Sequence, residues 1–366
     1  MTISIKRASL GGLAAASAAI LLAACGAAPE ESGTGGEGGE AASDFVPCMI
    51  SDEGGFDDKS FNQLSHEGLL AAAETLGVDD ISVESNDESE YAGNLSSLVD
   101  QNCNVIVTVG FLLAADANDS AEANPDVHYV SVDEMVDIDQ DGQTDQENIK
   151  PLVYDTAQAA FLGGYAAAAY SEAGKVGTFG GANIPTVSIF MDGFRQGVEY
   201  WNEQNDGDVE VVGWDGSDGV FTGGFQANQD ALNAAQGIVD QGVDVLLPVG
   251  GPIYQSAASV IRDSGRDIAL IGTDADVYES DPSVSDLLLT SIRKQMDTSV
   301  QEVVESAGAG EFDNEPYIGT LENEGVSLAP FHDFEDRVPE GLQAELDEIT
   351  AGIIDGSISV DSYLSE

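Results

Sequence analysis

Positive charge is the scarcest resource in this chain. Eleven lysines and arginines stand against 67 aspartates and glutamates, a formal net charge of −56. A nucleic-acid partner is excluded on that ground, because a phosphate backbone would be repelled everywhere along such a surface. Few lysines beside abundant aspartate also fit a salt-adapted bacterium, in which screening keeps so acidic a surface tolerable. Histidine is nearly as rare. His66, His128 and His332 form no His-x-x-x-His pair and join no cysteine cluster of metal spacing. A G-x-S-x-G elbow, a Walker A loop and a G-x-G-x-x-G fingerprint are all missing, so the common hydrolase, NTPase and dinucleotide chemistries have no foothold. A binding protein, not an enzyme, is the expectation.

Long apolar runs are missing as well, apart from Leu10–Leu22 at the N-terminus. That run follows Lys6 and Arg7, is too short to span a bilayer, and ends in Leu22-Ala-Ala-Cys25, the pattern of a lipoprotein signal. The expected processing removes residues 1–24 and places lipid on Cys25. A membrane-anchored protein on the outer face follows, with 25–43 a flexible tether too poor in apolar residues to fold. Two further cysteines remain, Cys48 and Cys103. Each sits at a strand start, so neighbouring parallel strands would bring them to disulfide distance; two buried free thiols are the other reading.

What the chain does have is alternation. Apolar, β-branched strands such as Val105–Val109 alternate with amphipathic helices, first to about residue 150 and again from Pro151. This pattern predicts a doubly wound parallel α/β fold, and the length predicts two lobes. The expected division is 44–150 with 277–313 for lobe 1, and 151–276 with 314–366 for lobe 2. The acidic stretch 137–148 interrupts the alternation. Asp137, Asp139, Asp141, Gly142 and Asp145 match the early positions of a calcium loop, but Asn148 stands where the bidentate glutamate belongs. It reads either as a structural calcium site or as a solvated acidic loop, and no other cofactor is expected.

Ligand chemistry is expected at the carboxyl ends of the strands, where open α/β sheets hold small molecules. The stretch Ser51–Gln63 is a strand end, a glycine turn and a helix start, carrying Asp52, Phe61 and Asn62. Asp133, Phe225, Gly250, Asp274 and Lys294 occupy comparable places further on. Carboxylates accept hydroxyl hydrogen bonds, as a sugar requires, and rings on opposite lobes could sandwich a planar base. Phe56 and Asp57 read as turn residues.

Asp52-x-Gly-Gly-x-x-Asp-Lys-Ser-Phe-Asn-Gln63 with Glu67-Gly68 resembles the signature of the basic membrane protein lipoproteins, purine-nucleoside-binding components of ABC importers. The likeness continues through Phe161-Leu-Gly-Gly-Tyr, Gly193-Phe-x-x-Gly197, Pro248-Val-Gly-Gly251 and Thr290-Ser-x-x-Lys294. It implies a type I periplasmic-binding-protein fold with three crossovers, a monomer that delivers nucleoside to an ABC permease. It also implies that Phe61 and Phe225 stack on the purine while Asp52, Asp133, Asp274 and Lys294 hold base edge and ribose. Phe221 lies close to the second aromatic position, and Ala227 replaces an aspartate of the family pattern. A sugar or signalling ligand is the alternative within binding proteins, and a nucleoside-processing enzyme the alternative outside them.

Overall fold

The computed structural model describes residues 44–364. Its first-half strands are β1 (Pro47–Ser51), β2 (Ile81–Val83), β3 (Val105–Val109), β4 (His128–Val132), β5 (Ile149–Tyr154) and β6 (Lys175–Gly180). They are followed by β7 (Glu210–Val212), β8 (Val245–Val249), β9 (Ala269–Asp274), β10 (Leu288–Lys294), β11 (Tyr317–Gly319) and β12 (Val326–Leu328). The helices are α1 (Phe61–Leu76), α2 (Tyr91–Asp100), α3 (Ala114–Ala123), α4 (Thr156–Tyr170) and α5 (Pro185–Asn205). The remaining ones are α6 (Gln229–Val239), α7 (Ile253–Ser264), α8 (Val277–Ser280), α9 (Met296–Gly308) and α10 (Leu342–Ile354).

Two six-stranded sheets result, ordered β11-β5-β4-β3-β1-β2 and β12-β10-β9-β8-β6-β7. Every pairing is parallel except β10 with β12. The chain crosses between sheets after β5, after β10 and after β11. Central strands such as β3 and β8 are buried at every residue, the condition under which uninterrupted apolar runs are stable as strands.

The lobe boundaries differ from the sequence expectation. Residues 151–154 belong to the first sheet, because β5 continues through Pro151 and pairs with β4. Residues 288–294, assigned by sequence to lobe 1, form β10 of the second sheet, with β9 on one side and β12 on the other. Only the following α9 returns to lobe 1, where it packs on α1. Residues 317–319 likewise pair with β5 in the first sheet.

Two glycines let the crossover helix α4 press on α5. A Cβ at Gly164 would lie 1.9 Å from the Phe194 carbonyl oxygen, and one at Gly197 1.9 Å from that of Phe161. Any side chain at either position would force the helices apart. Cys48 and Cys103 are joined by a disulfide, with Cα atoms 5.9 Å apart, tying β1 to the segment entering β3. The expected lipoprotein signal, Cys25 and the expected tether lie outside the described residues. Among the described residues no helix is long and apolar enough to cross a membrane.

Candidate functional site

A partly open cavity lies between the sheets, at the carboxyl ends of their strands. All eight residues singled out for ligand contact line it: Asp52, Phe61, Asn62, Asp133, Phe225, Gly250, Asp274 and Lys294.

The glycine turn after β1 is organised by two buried carboxylates. Asp58 accepts the backbone N–H groups of Ser60, Asn62 and Gln63 at 2.9–3.0 Å. It therefore caps α1 and aims Phe61 and Asn62 at the cavity. Asp52 accepts N–H from Gly54 at 3.1 Å and from the Asn62 side-chain amide at 2.9 Å. Burial pushes both carboxyls up, Asp52 to about 6 and Asp58 to about 6, against the pull of these hydrogen bonds.

The opposite end is built around one buried cation. Lys294, 2 % exposed, lies 2.7 Å from Asp133 and 3.4 Å from Asp274. Its ammonium also faces the rings of Phe190 (4.8 Å), Phe61 (5.4 Å) and Tyr154 (5.9 Å). Burial opposes its charge, yet the two carboxylates hold its pKa above the ordinary lysine value. Burial in turn raises Asp133 despite the lysine beside it. Asp133 ends β4 in one lobe and Asp274 ends β9 in the other, with φ of 67° and 68°. Both lie in the left-handed region, which aspartate enters more readily than most residues other than glycine.

Phe225 reaches the cavity because glycine lies beneath it: a Cβ at Gly181 would sit 2.5 Å from its ring, and one at Gly250 2.8 Å. Phe221, the neighbouring candidate, packs on Gly180 and edge-on against Trp214 at 6.2 Å instead. The lobes also bond each other directly. Ser60 Oγ donates to the Thr273 carbonyl at 2.8 Å, and Ser280 Oγ to the Lys59 carbonyl at 2.6 Å.

Sequence reasoning missed Gly110, Phe111, Thr186, Val187 and Phe190, which line the same cavity. Gly110 and Phe111 directly follow β3, so the strand-end rule could have found them. Phe190 sits within the core-facing stripe of α5, where nothing separates a site ring from a packing ring.

The acidic loop lies apart from the cavity. Carboxylate oxygens of Asp137, Asp139 and Asp145 lie within 4.8 Å of one another. Asp141 departs from the expected set; it accepts N–H from Gln143. Asn148 turns its amide to the carbonyls of Ala121, Asn124 and Val127. The turn is held by its own hydrogen bonds, Asp137 accepting from Asp141 and Gly142.

Two parallel-sheet lobes, three crossovers and a polar, ring-lined cavity between strand ends define a periplasmic-binding-protein-like fold. Similar structures include ABC transporter solute-binding proteins from Aeropyrum pernix K1, with TM-score 0.75 and 22% identity over 86% of this chain and 92% of that one. Another from Conexibacter woesei has TM-score 0.63 and 21% identity over 87% and 99%. Residues 45–360 match the family described as ABC transporter substrate-binding protein PnrA-like (Bmp), and the chain belongs to this family. Among its relatives are the CD4+ T-cell-stimulating antigen of Listeria innocua, 25% identical over 93% of this chain and 94% of that protein. The ABC transporter nucleoside-binding protein BmpA of Lactococcus lactis is 25% identical over 89% and 92%. The family is described as substrate-binding proteins of ABC transporters.

Proposed function

We propose that this protein captures a purine nucleoside between its lobes and delivers it to an ABC permease at the outer face of the membrane. The observation that carries the reading is the make-up of the cavity. Phe61 and Phe225 supply aromatic faces from different lobes, and Asp52, Asn62, Asp133, Asp274 and Lys294 supply polar contacts around them. A flat base needs the first and a ribose the second. Four buried carboxylates, Asp52, Asp58, Asp133 and Asp274, against the single ammonium of Lys294 disfavour phosphate, so nucleosides rather than nucleotides fit. The nucleoside-binding description of the Lactococcus relative points the same way. Closure about the crossovers would bury the ligand, and a lipid on Cys25 would keep the protein beside its permease.

Mass spectrometry of the small molecule released on denaturing the purified protein tests this. A purine nucleoside is expected; a sugar in its place would overturn the reading. Incubation with inosine should leave it intact, and release of free base would instead make the protein a nucleoside-processing enzyme.

A further inference from the structure

Beyond α10 the chain is an extended ribbon. It leaves the helix with the Ile358 N–H bonded back to the Gly352 carbonyl at 2.9 Å. From there burial alternates residue by residue: Ile358, Val360, Ser362 and Leu364 are half-buried, and Ser359, Asp361 and Tyr363 are exposed. A period of two is that of a strand laid on a surface, and Ile358, Val360 and Leu364 pack on the hydrophobic core. In place of a neighbouring strand, one side chain of α5 pairs with the ribbon. Gln196 Oε1 accepts the Asp361 N–H at 2.8 Å, and its Nε2 donates to the Asp361 carbonyl at 2.9 Å. Asp192 orients this amide by accepting from the same nitrogen at 3.1 Å. Both backbone groups of a residue 165 positions away are thus held by a single glutamine.

The ribbon starts on one lobe and ends at the other. Its anchors, α10 and α5, both pack on α4 in lobe 2. Tyr363 is 48 % exposed, yet its hydroxyl end lies inside. Burial, followed by the charges of Asp133, Glu134 and Asp155, raises the phenol well above the ordinary tyrosine value. Asp133 and Glu134 directly follow β4 in lobe 1, and Asp155 follows β5 where the chain crosses between lobes. The phenol therefore stays a neutral hydroxyl, a donor among three carboxylates. Asp133 is also the lobe 1 partner of Lys294, at 2.7 Å. The ribbon thus reaches the carboxylate through which the two lobes already pair, and opening the cleft would draw that carboxylate away from both. We propose that residues 358–364 form an interlobe strap, a fourth and non-covalent link beside the three crossovers, that holds the cleft shut and slows the escape of its ligand.

Three variants test the strap: deletion of residues 358–366, Gln196→Ala, which removes the clamp, and Tyr363→Ala, which removes only the contact with lobe 1. X-ray scattering from the ligand-stripped proteins needs no knowledge of the ligand. All three variants are expected to show a larger radius of gyration than the native chain, and the same radius in all four would overturn the proposal. Stopped-flow release of inosine, used as the probe, reads the consequence. Its dissociation rate should rise about 3- to 10-fold in Tyr363→Ala, the worth of about one hydrogen bond, with a smaller change in association. Should inosine not bind the native chain, the nucleoside reading falls and the scattering alone decides the strap. A variant that melts lower but keeps the native radius and release rate would make the ribbon a stabiliser of lobe 2 only, and refute the strap. Tyr363→Ala keeps the test decisive if the deletion does not fold, because that side chain lies on the exposed face of the ribbon.

Discussion

Replacing Asp52 by asparagine should make the protein more stable and a poorer binder. The carboxyl has an ordinary value of 3.8 and is pushed to about 6 by burial. A shift of about 2 units is equivalent to about 3 kcal/mol of preference for the neutral form. The sign follows from proton linkage. Between pH 3.8 and 6 the folded protein holds a proton on Asp52 that the unfolded chain has released, so stability falls as pH rises through this window. Above pH 6 the full penalty is present; below about 4 it is gone. Asparagine removes the charge, and its oxygen can still accept from Gly54 and Asn62, the two donors now held at 3.1 and 2.9 Å. At pH 7.5 the variant should therefore gain up to about 3 kcal/mol, and at pH 4 the two proteins should be equally stable. The acidic surface titrates in both proteins and cancels in the difference, while Asp58, whose charge adds to the raised value of Asp52, is relieved in the variant and adds to the gain. Urea unfolding of the ligand-free proteins, at constant ionic strength and several pH values, measures that difference. A variant that is less stable at pH 7.5, or a difference that does not change with pH, would refute the assignment of the penalty to the buried carboxylate.

Truncating either cavity ring, Phe61→Ala or Phe225→Ala, should weaken nucleoside binding by about 1–3 kcal/mol per stacking face, measured by calorimetry with the melting temperature as control. Unchanged affinity in both would remove the sandwich. Lys294→Met strands Asp133 and Asp274 as uncompensated buried charges, at 2.7 and 3.4 Å from the lost ammonium. It should cost about 3–5 kcal/mol of stability, and adding Asp133→Asn should restore part of it; no restoration would mean the loss is one of packing. Reducing the Cys48–Cys103 disulfide opens a link across 55 residues and should cost about 4 kcal/mol on the loop-entropy view, read from urea midpoints with and without reductant. Molar potassium chloride should raise the melting temperature of a chain with net charge −56; a fall would contradict the salt-adapted reading.

The half of the site that sequence made legible is the half written in short range. Asp52, Phe61 and Asn62 sit on one strand–turn–helix unit, and Asp133 and Asp274 close apolar strands. Pattern and strand-end rules reach such residues directly. The same rules placed most of the central parallel strands. They failed at β5, where Pro151 breaks the strand signal although the strand continues through it, and at β10 to β12. There, three-residue strands and one antiparallel pairing carry too little periodicity to be read. The misplaced lobe boundary at 277 follows from that gap. Phe190 was illegible for a different reason: it lies on a face of α5 that is apolar for packing, and only the position of Lys294, 4.8 Å above its ring, reveals its second role.

Closure of the cleft looks overdetermined, yet its electrostatics oppose it. The lobes are joined by Ser60 to Thr273, Ser280 to Lys59 and Lys294 to Asp133. Closing also brings Asp58 near Asp274, whose charge adds to the raised pKa of Asp58, and leaves Asn62 Oδ1 buried without a donor. A buried acceptor in that state costs about 1–3 kcal/mol, comparable to what one interlobe hydrogen bond to an uncharged group returns. A ligand that presents a donor to Asn62 would remove the second of these costs rather than add to the favourable bonds. On the proposed reading, the glycine turn after β1 would couple closure to ligand chemistry: a donor would fill its hydrogen-bonding deficit, and an acceptor would enlarge it.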